Sequence, residues 1–81
     1  MLKYWFFESR IGTFSIVEKN SRFHVIYEDD LIDHYASPQQ AAQELADGDV
    51  PSFVTSTGEV ILDTSQLNIP ADLGRWDLSV H

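Results

Sequence analysis

The chain has 81 residues, of which 13 are acidic and 5 are Lys or Arg, so its formal net charge is −8. No Lys or Arg occurs between Phe23 and Gly74, so the acidity is regional. The ten carboxylates of that segment are Glu28, Asp29, Asp30, Asp33, Glu44, Asp47, Asp49, Glu59, Asp63 and Asp72. A field of this sign repels phosphate backbones and anionic lipid, and it attracts cations and basic proteins. The absence of cysteine excludes disulfides, thiolate chemistry and Cys-ligated zinc.

The length and composition predict one small domain, residues 1–81, with modest net stability. The 43% hydrophobic content is enough for a compact core and argues against intrinsic disorder. No apolar run approaches the roughly 18 residues of a membrane span, and the N-terminal segment is charged too early for a signal peptide. We therefore expect a cytoplasmic protein with no membrane partner.

Alternating apolar residues predict four strands in the first half of the chain. They cover about residues 2–8, 13–19, 22–27 and 31–36, and the first is rich in aromatics. Asn20-Ser21 suits a tight two-residue hairpin loop between the second and third strands. Because the links between consecutive strands are short, all four strands are expected to be antiparallel.

A helix is predicted over about residues 38–47. Ser37 is a preferred N-cap, Pro38 suits the first helical position, and Gln40 stands where a capping box has Glu or Gln. Gly48 is placed to end the helix in a left-handed conformation. The apolar stripe of this helix is mostly alanine, so most of the core volume must come from the aromatic residues of the strands.

These elements predict an α+β fold: an antiparallel sheet of three to four strands with one main helix packed on one face, followed by an irregular tail over residues 49–81. Within the tail, residues 59–62 are a candidate last strand. Asp63 is a candidate cap for a turn that carries Leu67, and residues 69–76 suit one more helical turn.

The second face of the sheet also needs a cover, because the first strands carry apolar residues on both faces. We expect the tail to wrap back so that Phe53, Leu67 and Trp76 fill that face. A second copy of the chain or a partner protein is the alternative cover, and a homodimer is therefore among the expected assemblies.

Three segments resemble a group of short single-domain bacterial proteins of unknown function. They are Gly12-Thr13-Phe14, then Tyr35-Ala36-Ser37-Pro38-Gln39-Gln40-Ala41-Ala42, and in the tail Asp63-Thr64-Ser65-Gln66-Leu67-Asn68-Ile69-Pro70. The resemblance implies a bacterial, cytoplasmic, single-domain protein. It transfers no catalytic residue, because no activity is assigned to the group. The segment 48–53 departs from the glycine-histidine-threonine run of such proteins.

No metal site or cofactor is expected from the residue pattern. His34 would need Asp33, Asp29 or Asp30 as fellow ligands, but neighbours on a strand point to opposite faces. The acidic segment 28–33 lacks the ligand spacing and the glycine of a calcium-binding loop. Residues 55–58 lack the lysine and the glycine frame of a phosphate-binding loop.

The composition favours a noncatalytic protein-interaction or regulatory module rather than an enzyme. Its binding surface for a basic protein partner is predicted to consist of Glu28, Asp29, Asp30, Asp33, Asp47 and Asp49. One alternative is single-stranded nucleic-acid binding through the aromatic first hairpin, where Tyr4-Trp5-Phe6-Phe7 lies near Lys3, Arg10, Lys19 and Arg22. The negative charge disfavours nucleic acid. Another alternative is a ligand binder or enzyme assembled at a homodimer interface.

Overall fold

The computed structural model describes residues 3–55 and 57–80. The predicted first strand includes Leu2, and the segment 55–58, considered above as a phosphate-binding loop, includes Ser56. Both residues lie outside the described ranges. The strands are β1 (Lys3–Ser9), β2 (Gly12–Lys19), β3 (Arg22–Tyr27), β4 (Asp30–Tyr35), β5 (Phe53–Val54), β6 (Val60–Ile61) and β7 (Asp77–Val80). One helix, α1 (Pro38–Asp47), follows β4, and the tail adds the 3₁₀ turns η1 (Thr64–Leu67) and η2 (Leu73–Arg75).

The main sheet is antiparallel and has five strands in the order β4-β3-β2-β1-β7. This arrangement confirms the α+β fold with one main helix. The sheet has one strand more than the sequence predicts, because β7 pairs with β1 from the tail. The alternation that normally reveals a strand is weak in β7, where Asp77 and Leu78 are both exposed.

The predicted hairpin loop at Asn20-Ser21 is confirmed. Both residues have positive φ, 54° and 64°, as a type I′ turn requires. This turn fixes the register in which Lys19 pairs with Arg22 and Val17 pairs with His24. Each such pair places two side chains on the same face of the sheet.

The helix begins and ends where its capping residues predict. The Ser37 side chain accepts a hydrogen bond from the Gln40 N–H at 3.1 Å. Gly48 has a φ of 80°, and its N–H bonds to Leu45 O. The Asp49 N–H then bonds to Glu44 O at 2.9 Å, so two of the orphan carbonyls at the helix end are satisfied.

The core lies on one face of the sheet, between the strands and a layer made of α1 and the tail. The sheet contributes Phe14, Ile16, Val25, Tyr27 and Tyr35, the helix contributes Ala41, Ala42 and Leu45, and the tail contributes Leu67, Ile69 and Trp76. The Thr64 hydroxyl donates to Leu45 O and ties η1 to the helix.

The expectation that the tail fills the second face is wrong. The Phe53 ring lies 5.8 Å from that of Phe14 and 4.9 Å from that of Tyr27, and Trp76 lies 5.8 Å from Phe7, all on the helix side of the sheet. The physical reason is the alanine stripe of α1, which leaves room beside the helix. The large side chains of the tail complete the core layer there.

The second face, named here the open face, is defined by the register of the strands. Its residues are Tyr4, Phe6, Glu8, Thr13, Ser15, Val17, Lys19, Arg22, His24, Ile26, Leu31, His34, Asp77 and Ser79. Within the described ranges, the buried core cluster draws on the other face alone. The open face therefore keeps half-buried apolar side chains, and Leu31 is 61% exposed.

Candidate functional site

The six predicted acidic residues lie at two separate places along β4. Glu28, Asp29 and Asp30 form the turn that enters this strand, and Asp33 lies further along it. Asp49, just beyond the end of α1, acts with Asp33 on Tyr35, and Asp47 acts on Glu44. Asp30 and Asp33 are about 10 Å apart along the strand, and they act on different tyrosines, Tyr27 and Tyr35. We name the second place the acidic junction and define it as Asp33, Tyr35, Glu44, Asp47 and Asp49.

At the centre of the acidic junction is the Tyr35 hydroxyl. Tyr35 is 9% exposed, and its buried hydroxyl has no hydrogen-bond partner. Burial raises the pKa of Tyr35 to about 12, with further contributions from the charges of Asp33, Glu44 and Asp49. The Asp33 carboxylate raises the pKa of Tyr35 both by its charge and as a hydrogen-bond acceptor close to the phenol, although the distance and angles between the two groups fall short of a well-formed hydrogen bond. A buried hydroxyl without a partner is costly, so its place among carboxylates is informative.

Glu44 and Asp49 form the second feature of the junction, a pair of carboxyl groups in contact. A hydrogen bond with the Asp49 side chain raises the pKa of Glu44, partial desolvation raises it as well, and the negative charges of Asp49 and Asp47 add to the shift. All three lie at the C-terminal end of α1, where the helix dipole is negative and where the last turn has no basic residue. The arrangement works against local stability and favours a bound cation.

Local backbone chemistry explains how these side chains are positioned. The left-handed Gly48 turns the chain so that Asp49 follows directly over the last helical turn. Asp47 accepts a hydrogen bond from the Gln43 amide at 3.0 Å. Asp33 accepts one from the His34 N–H at 2.8 Å, and its pairing with Val25 places it on the helix side of the sheet.

The turn group has a different character. Glu28 adopts a φ of 53°, and its N–H donates to Thr13 O at 2.9 Å, which ties the turn to β2. Glu28, Asp29 and Asp30 are all exposed. The nearby Tyr27 hydroxyl has a partner, Ile11 O, and the pKa of Tyr27 is raised by burial and by Glu28, Glu59 and Asp30. This turn is a solvated hairpin tip.

Two residues of the junction, Tyr35 and Glu44, are absent from the surface predicted from the sequence. A signal for Glu44 existed, since Glu44 and Asp47 lie three residues apart and therefore on one face of the helix. Tyr35 had no such signal. An aromatic residue at the end of a strand is ordinarily a core residue, and only the packing of α1 against β4 shows that its hydroxyl has no partner.

His34 and its neighbour Asp33 lie on opposite faces of the sheet. His34 pairs with His24 on the open face, whereas Asp33 pairs with Val25 on the core side. The Arg22 Nε–H donates to Nδ1 of His34 at 3.1 Å. Among residues 3–55 and 57–80, no group of three or more His, Cys, Asp or Glu side chains is arranged to hold a metal ion.

The aromatic first hairpin divides its side chains between the two faces. Trp5 and Phe7 pack against the core, while Tyr4 and Phe6 lie on the open face with ring centroids 6.0 Å apart. Its cations divide as well. Lys19 and Arg22 lie together at the β2–β3 turn, but Arg10 lines a cleft of about 220 Å³ against the β5–β6 hairpin.

No protein-family model matches this chain, and comparisons with curated proteins and with solved structures found no match. Within the part of the chain that the structure describes, no helix is long and apolar enough to cross a membrane. The fold and the junction together define an α+β protein with a sheet covered on one side and an acidic site at the end of its helix.

Proposed function

We propose that this protein is a noncatalytic interaction or regulatory module that binds a basic segment of a partner protein at the acidic junction. The observation that carries the proposal is the buried Tyr35 hydroxyl. It has no hydrogen-bond partner, and burial, together with the negative charges of three carboxylates, raises the pKa of its phenol. A site of this composition is complementary to a Lys ammonium or an Arg guanidinium.

The chemistry of such a contact uses each group of the junction. A bound cation donates hydrogen bonds to the carboxylates of Glu44 and Asp49 and offsets the repulsion between them. The Tyr35 oxygen is buried in the free protein; ligand binding uncovers it, and it then accepts a further bond from the cation, since a hydroxyl is both donor and acceptor. Asp33, on the same side of the sheet, adds negative charge to the site. The negative end of α1 attracts the cation as well.

Binding of a cation is linked to the protonation of Glu44. The pKa of Glu44 is raised, first by its hydrogen bond with Asp49, so Glu44 keeps its proton to a higher pH than a free glutamate does. A cation favours the ionised form. The affinity for a basic ligand is therefore expected to rise as the pH increases through the pKa of Glu44.

Titration of the ¹⁵N-labelled protein with an eight-residue Arg/Lys peptide at low salt tests the proposal. The variant Glu44→Gln/Asp49→Asn removes two negative charges at the junction, and Asp29→Asn/Asp30→Asn removes two at the turn, so the pair is matched in net charge. We expect the junction variant to bind about tenfold more weakly or worse, and the turn variant to change affinity only slightly.

Equal losses in the two variants would contradict the proposal, because they would reduce the interaction to attraction by net charge. Amide shifts confined to the turn group would contradict it as well. Shifts centred on Tyr35, Glu44 and Asp49 that weaken in Tyr35→Phe would support it.

A further inference from the structure

The open face combines an apolar centre with two charged ends. Phe6, Val17, Ile26 and Leu31 form the centre, and the groove between β2, β3 and β4 has a volume of about 230 Å³. The groove is lined by apolar side chains together with Lys19 and His24. An aliphatic and aromatic surface of this kind is a common mark of a protein contact.

The charges of the open face are separated along the strand direction. Lys19 and Arg22 lie at the β2–β3 turn. Glu8 pairs with Thr13 beside the β1–β2 turn, and Asp77 pairs with Phe6 toward the same end. About 20 Å separates the two ends, since Lys19 lies six residues after Thr13 in β2. The face is therefore basic at one end and acidic at the other.

We propose that a second copy of this chain covers the open face, in a two-fold dimer whose sheets pack face to face with their strands running in opposite directions. A two-fold axis between the sheets, roughly perpendicular to the strands, places the basic end of each copy over the acidic end of the other. Such a surface is self-complementary, as a two-fold interface requires. Twisted sheets pack in this way with strands crossing at about 30°.

The size of the face sets the strength of the dimer. Five strands spaced about 4.8 Å apart, each about six residues long, make a projected area on the order of 400 Å² per copy. The pair then buries on the order of 800 Å², the range of weak and transient interfaces. The net charge of −8 on each copy opposes association, and physiological salt screens that repulsion. A reversible dimer with micromolar or weaker affinity is expected.

The same features disfavour a single strand of nucleic acid as the occupant. Tyr4 and Phe6 offer stacking surfaces, and Lys19 and Arg22 offer cations. The acidic end of the face, however, lies within the same surface, whereas a nucleic-acid site requires a basic groove along the whole strand. The acidic junction lies on the helix side of the sheet, so the dimer does not depend on the proposed function.

Analytical ultracentrifugation of the full chain from about 1 µM to 1 mM in 150 mM salt tests the dimer. The mass is expected to rise from 9.2 kDa toward twice that value. Leu31→Asp places a charge at the apolar centre and is expected to abolish the rise. Because Leu31 is 61% exposed, this variant is expected to fold, which circular dichroism checks. Glu44→Gln/Asp49→Asn is expected to dimerise as the parent does.

A charge-exchange experiment tests the orientation of the two copies. Lys19→Glu/Arg22→Glu makes both ends acidic, and Glu8→Lys/Asp77→Lys makes both ends basic. Neither variant is expected to self-associate, but an equimolar mixture of the two is expected to form heterodimers. Arg10→Glu/Arg75→Glu changes the net charge as the first variant does, at positions off the open face, and is expected to dimerise like the parent.

A monomeric mass through 1 mM would overturn the proposal. A mixture that stays monomeric while the parent dimerises would overturn the head-to-tail arrangement. Binding of a fluorescent oligothymidylate by a monomeric parent, lost in Lys19→Glu/Arg22→Glu, would assign the open face to nucleic acid instead.

Discussion

Replacing Tyr35 with Phe is expected to leave the fold as stable as the parent or to stabilise it, while weakening the binding of a basic peptide. The substitution removes one oxygen and keeps the ring that packs in the core. That oxygen is buried and has no hydrogen-bond partner. An unsatisfied buried polar group costs about 1–3 kcal/mol, so its removal is expected to change the free energy of unfolding by about 0 to +1 kcal/mol after allowance for local relaxation.

The measurement is urea unfolding followed by Trp fluorescence, in parallel with thermal unfolding. A gain of 1 kcal/mol corresponds to a rise in Tm of about 4–8 °C for a domain of this size. Tyr27→Phe is the matched control, because its hydroxyl does donate a hydrogen bond, to Ile11 O. That variant is expected to lose about 1 kcal/mol.

A loss of more than about 1 kcal/mol in Tyr35→Phe would refute the reasoning, because it would show that the hydroxyl is hydrogen bonded in solution. Asp33 would then be its acceptor, and the junction would be a satisfied structural feature. Unchanged peptide affinity would refute the role of the hydroxyl in binding even if the stability rose. The combination of retained stability and reduced affinity is what distinguishes a binding group from a structural one.

Three further predictions concern the helix and its end. In urea unfolding, Glu44→Gln is expected to be more stable than the parent at pH 7 and as stable as the parent at acidic pH. The pKa of Glu44 is raised in the folded state, so protonated Glu44 stabilises the fold below the unfolded-state pKa. This stabilisation is lost as the pH rises through the folded-state pKa. A lower stability of this variant at pH 7 would contradict the assignment. Gly48→Ala is expected to destabilise the fold by about 1–2 kcal/mol because alanine is strained in the left-handed conformation. A further loss is expected because the added Cβ would meet the Asp63 carboxylate. Adding Asp63→Ala should recover only the loss from this clash, so additive losses in the double variant would contradict the contact. Leu45→Ala, at a fully buried position, is expected to lose about 2–5 kcal/mol in chemical denaturation, whereas Leu62→Ala, at a residue that is 75% exposed, should stay within about 0.5 kcal/mol, and similar losses in both would refute the description of the core.

The acidic junction illustrates how a site can reduce local stability. Glu44, Asp47 and Asp49 repel one another at the end of α1 that already carries the negative dipole. Basic residues at the same positions would stabilise the helix. The stability of the end comes instead from bonds to backbone carbonyls, namely those of the Gly48 cap and the one that the Thr64 hydroxyl donates to Leu45 O. These contacts hold the carboxylates together without neutralising them.

The elements that the sequence predicts well are those specified by neighbouring residues. Ser37, Pro38 and Gly48 set the bounds of α1, and Asn20-Ser21 sets the β2–β3 turn, because caps and turns depend on local backbone geometry. Asp63 caps η1 in the same way, since its carboxylate accepts from the Ser65 N–H at 2.9 Å. The α+β class follows from these local signals and from the alternation in β1 to β4.

Contacts between residues far apart in the chain required the tertiary structure. β7 pairs Val80 with Lys3 across almost the whole chain, and its exposed residues Asp77 and Leu78 carry no pattern that specifies a strand. The side of the sheet that the tail covers depends on the space left beside an alanine-rich helix, which is a property of the packed core. In the same way, the sequence by itself determined that the middle of this chain is acidic. Only the packing of α1 against β4 decided that the charges of Glu44 and Asp49 act on a buried Tyr35 hydroxyl, because a hydrogen-bonding group lacks a partner only once its neighbours are in place.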